Sequence, residues 1–109
     1  MAKQADGVWI IDADAKTLYA SEAMAQILGA TTTEMLGKPS FAYMYPEDEA
    51  ATQHLFDGKK RGDHKAFHFR LRRKNASPVW VDVQGTPMRN AAGDFVGIVR
   101  TFSVSTSQG

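Results

Sequence analysis

The charged side chains of this sequence lack the spacing that catalysis requires. The chain has no G-x-S-x-G nucleophile motif, no phosphate-binding glycine loop and no H-E-x-x-H zinc motif. Its acids fall in a turn, at Asp12 and Asp14, or at the expected start of a helix, at 47–49, where carboxylates serve structure. We therefore predict that the chain has no catalytic site.

One charged residue, Arg100, interrupts an apolar pattern. It shares the face that we assign to the core with the side chains of Val96, Ile98 and Phe102. A buried guanidinium is unfavourable unless it is paired. We predict that Arg100 either reaches the rim of the sheet or meets an anion, which would be an acid-bearing ligand or an internal partner such as Glu34. A β-bulge near Gly97 would instead turn it outward.

The three histidines do not predict a metal site. His54 falls on an expected helix, His64 precedes a strand and His68 faces outward from that strand. None of them converges with another or with a cluster of carboxylates, as a transition-metal site requires.

Periodic apolar patterns predict the elements that position these residues. Alternation and turn residues predict five strands, over residues 8–12, 17–21, 65–72, 79–88 and 95–104. Helical spacing predicts three helices, over residues 22–29, 32–37 and 46–58, with Ser21 as the first cap and Gly29 as its stop. The order ββαααβββ predicts an α+β domain whose helices pack across one face of a five-stranded antiparallel sheet.

Length and composition restrict the class of protein. A chain of 109 residues with 43% apolar content can form one core, so we predict a single domain over 1–109, folded over about 7–104, with a tail or linker at 105–109. The 13 basic and 12 acidic residues are interspersed, which favours neither nucleic acid nor membrane as a partner. The densest basic run, 70–74, is interpreted as a solvated strand face. Without cysteine, signal peptide or an apolar span of ~20 residues, a cytoplasmic location is predicted.

Five segments of the chain carry a set of short motifs that is specific only as a set. They are DGVWIIDADAKTLYAS, AQILGATTTEMLGK, YPEDEA, FRLRRKNASPVWVDV and TPMRNAAGDFVGIV. Together they resemble the PAS (Per-Arnt-Sim) family of sensory domains from Gly7 to about Val104. The resemblance implies a PAS-like fold and a non-catalytic input domain of a larger signalling protein, either a sensor histidine kinase of a two-component system or a cyclic-dinucleotide enzyme.

Three positions depart from the family pattern. Ser21 replaces the Asn that often starts the first helix, and Asn75-Ala76 replaces the usual Asp-Gly turn, which favours a longer loop. Val104 stands where the family has the Asp of its closing Asp-x-Thr motif, so signalling through that residue is not carried over.

The resemblance also raises haem and flavin as cofactors. Ser40 stands where the light-sensing flavin branch has its reactive Cys, which excludes Cys-dependent photochemistry, and Leu71 and Val81 stand where that branch has flavin-binding Asn residues. His54 is the haem-ligand candidate, one residue beyond the matching position at Gln53, which turns its ring by roughly 100°. We predict no cofactor, with haem or flavin as the alternative.

The inward faces of the expected elements give a candidate ligand pocket. It comprises Trp9, Ile11, Met24, Leu28, Tyr43, Phe67, Phe69, Leu71, Val81, Val83, Ile98, Arg100 and Phe102. These side chains are bulky enough to fill a small core. A cavity among them is predicted to be apolar, with selectivity from Trp9, Met24, Tyr43 and Arg100, and to take a small apolar or acid-bearing ligand.

The outer face of the sheet gives a candidate interface. Trp80 and Val99 are expected side by side there as an exposed apolar patch. The sequence therefore predicts a homodimer through this face, and the resemblance implies an effector domain in the parent chain. The alternative function is a ligand-free dimerisation or protein-interaction module.

Overall fold

The chain forms five strands and three helices in the predicted order ββαααβββ. A computed structural model describes residues 7–62 and 66–105, so the predictions for His64, for the start of the third strand at Lys65 and for the tail beyond 105 lie outside the described residues. The strands are β1 (Gly7–Asp12), β2 (Thr17–Ala20), β3 (Phe67–Arg72), β4 (Pro78–Arg89) and β5 (Phe95–Val104). The helices are α1 (Glu22–Leu28), α2 (Thr32–Met35) and α3 (Glu49–Lys60). Between α2 and α3 lie two 3-10 turns, Ser40–Tyr43 and Pro46–Asp48.

The strands form one antiparallel sheet in the order β2-β1-β5-β4-β3. The last strand, β5, is therefore central, and it pairs with both β1 and β4. The predicted five-stranded α+β fold is confirmed. Within the described ranges, no helix has the length and apolar content that crossing a membrane requires.

Capping residues begin both of the first two helices and end the first one as the sequence predicts, whereas α2 ends at Met35, before the predicted end at 37. Ser21 accepts a hydrogen bond from the Met24 amide, and Gly29 ends α1 in the left-handed conformation at φ 67°. Thr31 and Glu34 form a reciprocal capping box at the start of α2.

The third helix begins and ends later than its pattern predicts. A 3-10 turn with Pro46 at its start precedes α3, and the helix then continues past Gly58 to Lys60. The predicted end at 57–58 is wrong, because Gly58 is buried within the helix and tertiary packing outweighs its helix penalty of about 1 kcal/mol. This later end of the helix places Lys59 on α3.

A five-residue loop, 73–77, joins β3 to β4. The Arg73 amide donates to the Ser77 carbonyl, and Ala76 adopts a left-handed φ of 73°. The expectation of a loop longer than a two-residue turn is confirmed.

A bulge in β5 changes which side chains face the core. Pairing with β4 is regular as far as Gly97, and the register then shifts so that Val96 has no partner on β4. Phe95 packs against the core and Val96 is 38% exposed, so the prediction that Val96 faces inward is wrong. The bulge lies before Gly97, and Arg100 therefore keeps its inward orientation.

The core lies between the helices and one face of the sheet. Its large, fully buried side chains are Trp9, Ile11, Met24, Leu28, Met35, Met44, Leu71, Val81, Ile98 and Phe102. The indole Nε1 of Trp9 donates a 2.9 Å hydrogen bond to Thr17 Oγ1, and its ring packs against Tyr43 and Phe102. Because the polar atom of its side chain is hydrogen-bonded, Trp9 is buried in this core without leaving an unpaired N–H group.

We predict that Gly97→Ala strongly destabilises the domain. A Cβ at this position would lie 2.2 Å from the Ile11 carbonyl oxygen, so β1 and β5 would have to separate. The free energy of unfolding, measured by urea denaturation, should fall by about 2–3 kcal/mol. The exposed neighbour Val96 provides the control, since Val96→Ala should change it by less than about 0.5 kcal/mol. An unchanged stability of Gly97→Ala would contradict the close approach of these strands.

Candidate functional site

A small cavity lies between α3 and the inner face of the sheet. Its volume is about 40 Å³. The residues that line it are Ile11, Ser40, Phe41, Thr52, Leu55, Phe56, Lys59, Phe67, Phe69, Val83, Gly85, Ile98 and Arg100. Since a water molecule needs about 10–15 Å³ by this measure, the cavity holds about three or four non-hydrogen atoms.

One wall of the cavity is a stripe of side chains on α3. Thr52, Leu55, Phe56 and Lys59 line it, and their spacing of i, i+3, i+4 and i+7 puts them on one face of the helix. His54 lies outside this stripe. Its side chain is exposed and lines a separate groove between α3 and the edge strand β3.

Arg100 forms part of the opposite wall, on the central strand. The residue is 8% exposed, and its guanidinium carbon lies 4.4 Å from the ring centroid of Trp9 and 5.2 Å from that of Phe102. The Nε and Nη2 atoms are buried and have no hydrogen-bond partner in the part of the chain that the structure describes. Burial lowers the pKa of this guanidinium to about 9. The two rings offset some of the lost hydration, but the two N–H groups stay unpaired.

Three of the predicted explanations for Arg100 are wrong. Its side chain does not reach the rim of the sheet, because it is buried, and the bulge does not turn it outward. Glu34 is not its partner. The Glu34 carboxylate accepts hydrogen bonds from Thr31 and Lys74, and the bond from Lys74 lowers its pKa. An anionic ligand stays a prediction.

Lys59 is a second buried cation in the cavity wall. It is 5% exposed, its Nζ donates a 3.1 Å hydrogen bond to the Gly85 carbonyl, and it lies 5.0 Å from the ring centroid of Phe67. A Cβ on Gly85 would lie 3.2 Å from Arg100 Cγ and 3.4 Å from Lys59 Cε, so this glycine leaves room for both side chains. The described lining residues include these two basic side chains and no carboxylate.

The structure divides the predicted pocket residues into two sets. Six line the cavity: Ile11, Phe67, Phe69, Val83, Ile98 and Arg100. Seven are core side chains that do not line it: Trp9, Met24, Leu28, Tyr43, Leu71, Val81 and Phe102. Sequence reasoning missed the wall on α3. The signal was the seven-residue spacing from Thr52 to Lys59, which the predicted helix end at 57–58 concealed.

The cavity does not fit haem or flavin. Sites for ligands of drug size have volumes of about 300–1,000 Å³, several times the volume available here. His54 faces away from the cavity, and Leu71 and Val81 offer no hydrogen bonds to a flavin ring. The described residues also include no group of three or more His, Cys, Asp or Glu side chains that could hold a metal ion.

The basic run 70–74 is engaged by the protein itself, so its interpretation as a solvated face is wrong. Arg70 Nε donates a 2.7 Å hydrogen bond to Asp48, and Arg72 Nη2 donates to the Ala42 carbonyl. These contacts tie the edge strand β3 to the segment that precedes α3.

Trp80 and Val99 both lie on the outer sheet face, but they do not form one patch. Val99 lies opposite Ile10 on β1 and opposite Thr86 on β4. Trp80 is six positions from Thr86 along β4, which is roughly 20 Å at strand geometry. The expected contact between them is wrong, and Trp80 instead stacks on His68 with ring centroids 5.3 Å apart.

A family model described as the PAS fold matches residues 2–103. The chain therefore belongs to the PAS family, and the resemblance found in its motifs is confirmed.

One curated relative and two solved structures place the chain among known PAS proteins. The aryl hydrocarbon receptor nuclear translocator homolog of Drosophila melanogaster is 33% identical over 85 residues, which cover 76% of this chain and 13% of that protein. The PAS-B domain of Drosophila melanogaster Cycle, solved with bound ethylene glycol, matches with a TM-score of 0.81 and 19% identity, over 91% of this chain and 99% of that one. A light-oxygen-voltage domain studied with a flavin analogue matches with a TM-score of 0.80 and 23% identity, over 94% and 78% of the two chains. These two structural matches show the fold.

We predict that Arg100→Met stabilises the ligand-free domain at pH 7. Burial lowers the guanidinium pKa to about 9 in the folded chain, well below its value in the unfolded chain, so the unfolded chain binds the proton more tightly. The resulting penalty is fully present below pH 9 and falls as the pH rises above 9 toward the higher pKa of the unfolded chain. Removing the charge should raise the free energy of unfolding by about 1–3 kcal/mol.

Chemical denaturation in a buffer without oxyanions measures this change. Arg61→Met, which removes an exposed arginine after the end of α3, is the control and should leave stability within about 0.5 kcal/mol of the wild type. A destabilised Arg100→Met variant would mean that stacking on the two rings outweighs the desolvation.

Proposed function

We propose that this PAS domain is the cytoplasmic sensory input unit of a larger signalling protein, and that it responds to a small molecule bound between α3 and the sheet. The observation that supports this proposal is the buried side chain of Arg100, which lines the cavity and whose Nε and Nη2 atoms have no hydrogen-bond partner among the described residues. A core selected only for stability would carry an apolar side chain there. An unpaired buried donor beside a cavity is instead typical of a binding site.

The type of parent protein is part of the proposal. The motif resemblance implies a sensor histidine kinase or a cyclic-dinucleotide enzyme. The curated relative is by name a nuclear translocator homolog, and this chain spans 13% of its length, so the comparisons favour neither effector. The sensory role of the domain is independent of that choice.

The cavity size supports a ligand of a few atoms over a bulky cofactor. About 40 Å³ accommodates a molecule comparable to the ethylene glycol bound by Cycle PAS-B. Such a ligand would contact both layers of the domain, since Lys59 lies on α3 and Arg100 on the central strand. Binding would change the position of α3 relative to β5, and β5 would carry the change to the rest of the parent chain.

We expect small molecules to bind in the cavity and a cavity-filling substitution to prevent this. The test is a backbone amide NMR titration with acetate, nitrate, acetamide and ethylene glycol. For at least one of these probes, the shifts should cluster on lining residues such as Ser40 and Thr52. Val83→Leu should abolish them, because its added methylene occupies the cavity, whereas Gln84→Leu on the exposed face should keep them. Shifts for none of the four probes, or shifts only at the outer surface, would contradict the proposal.

A second function, dimerisation, is favoured by an apolar row across the outer sheet face. Ile10 pairs with Tyr19 on β2 and with Val99 on β5, which aligns their side chains across three strands. Tyr19 is 49% exposed, and Ile10 and Val99 are half-buried. A second copy of the sheet would cover this row.

Ile10→Glu should convert a dimer into a monomer, because it buries a charge at the centre of the row. Sedimentation velocity measures the change. Trp80→Glu is the matched control, and since Trp80 is roughly 20 Å from the row, that variant should stay dimeric. Dimerisation through this face is contradicted by a monomeric wild type, or by a dimer that Trp80→Glu dissociates and Ile10→Glu does not.

A further inference from the structure

A further concave site, which we call the basic pocket, lies between α2 with the 3-10 turn after it and the end of β3. Its volume is about 150 Å³, and it shares no lining residue with the cavity beneath α3. Four of its lining residues are basic and one is acidic, so the basic pocket has an excess of positive charge at neutral pH. The residues that line it are Glu34, Lys38, Ala42, Tyr43, Arg72, Arg73 and Lys74.

Two arginines at the end of β3 are held in place without being neutralised. Arg72 donates hydrogen bonds from Nε and Nη2 to two backbone carbonyls at the end of the 3-10 turn. Arg73 donates to the Ile27 carbonyl and to Ser77 Oγ. These acceptors are uncharged, and neither arginine forms an ion pair with a described residue. Because a guanidinium has five N–H bonds, both arginines are positioned cations with donors left for a ligand.

The carboxylate of the basic pocket is already engaged. Glu34 accepts a hydrogen bond from Lys74 Nζ, and this bond lowers the pKa of the Glu34 carboxylate. Lys38 is exposed, and its side chain has no hydrogen bond or ion pair within the described ranges. The ion pair of Glu34 and Lys74 is neutral as a unit. The excess charge therefore belongs to Lys38, Arg72 and Arg73.

A buried tyrosine provides a hydroxyl without a partner. Tyr43 is 6% exposed, and its ring packs edge-on against Trp9. Its hydroxyl makes no hydrogen bond in the part of the chain that the structure describes, yet it is not sealed from solvent as the Arg100 nitrogens are. Burial raises the pKa of this hydroxyl, and the charges of Glu34 and Lys74 also act on it, which places it on their side of the basic pocket. A ligand there would supply the missing acceptor.

The number and origin of these donors restrict the ligand. They come from separate elements, and the oxygen atoms of a phosphate group accept hydrogen bonds in several directions. A carboxylate has two oxygen atoms in one plane and a single charge, so it would offset less of the excess. The volume accommodates about ten to fifteen non-hydrogen atoms, more than inorganic phosphate has, so that a phosphate monoester of a small molecule also fits.

We propose that the basic pocket binds a phosphate group through three cations, Lys38, Arg72 and Arg73. The Tyr43 hydroxyl donates a further hydrogen bond to the same group. The bound phosphate would link the segment after α2 to the end of the edge strand β3. Inorganic phosphate and a small phosphate monoester share this chemistry, and the two probes of the experiment distinguish these sources.

The first experiment is a backbone amide NMR titration of the whole chain with sodium phosphate and with glycerol 3-phosphate. Sodium chloride keeps the ionic strength constant, and at about pH 7.5 a phosphate monoester carries nearly two negative charges. For at least one probe, saturable shifts should cluster on residues such as Lys38, Ala42 and Lys74. The probe with the lower apparent Kd identifies the source. Glycerol should produce no shifts there, and acetate should bind there at least about tenfold more weakly.

Two substitutions test the named groups while the arginines keep their carbonyl contacts. Lys38→Gln removes an exposed charge and should raise the apparent Kd about two- to fivefold. Tyr43→Phe removes only the hydroxyl and should raise it about tenfold. Without phosphate its melting temperature should not fall, because the hydroxyl has no partner to lose. Arg61→Gln removes an exposed charge outside the basic pocket and should leave the Kd unchanged.

Three results would overturn the proposal. They are the absence of shifts in the basic pocket with both probes, binding of acetate there as tightly as phosphate, and wild-type affinity in both Lys38→Gln and Tyr43→Phe. None of these results bears on the proposed sensory function, since shifts at Thr52 and Val83 report on the cavity separately. Phosphate shifts in the basic pocket, with no probe shifting the cavity residues, would support this inference while the sensory proposal fails.

Discussion

The arrangement of this domain accommodates one buried guanidinium, that of Arg100. Arg100 lies on the central strand of the sheet, so its long side chain has to extend between the sheet and the helices. Trp9 provides the surface on which the cation rests, and the Trp9 indole is held in turn by its hydrogen bond to Thr17. Gly85 on the neighbouring strand leaves the space that the Arg100 side chain needs. Arg100, Trp9, Thr17 and Gly85 are distant in sequence, and the last three support or make room for the buried guanidinium.

The unpaired, buried guanidinium of Arg100 lowers the stability of the domain. A domain of 109 residues has a small core, and an unpaired buried cation costs a substantial part of the net free energy of folding. The rings of Trp9 and Phe102 recover some of it through cation–π contacts, but they cannot accept the in-plane hydrogen bonds of Nε and Nη2. Departures from the best packing of this kind are expected at functional sites.

The sequence predicted most of the fold because the fold follows from local patterns. Two-residue alternation located the strands, and the cap at Ser21 with the stop at Gly29 located the first helix. Arg100 was assigned to the inner face by the same alternation, and this is correct because the bulge at Val96 falls before it. The position of that bulge depends on the approach of β1 to Gly97, a tertiary contact that alternation does not encode.

The site was predicted less well because it is assembled from elements distant in sequence. Lys59 was missed because Gly58 resembles a helix stop. The helix continues to Lys60 because Gly58 is buried by tertiary packing. Trp80 and Val99 were correctly placed on one face, but their separation is set by strand register, which the sequence did not give. The alternation of apolar residues identified the inward side chains but did not show which of them border a cavity. A cavity is the small difference between the space that the backbone encloses and the volume of the side chains that fill it. A sequence pattern does not determine that difference.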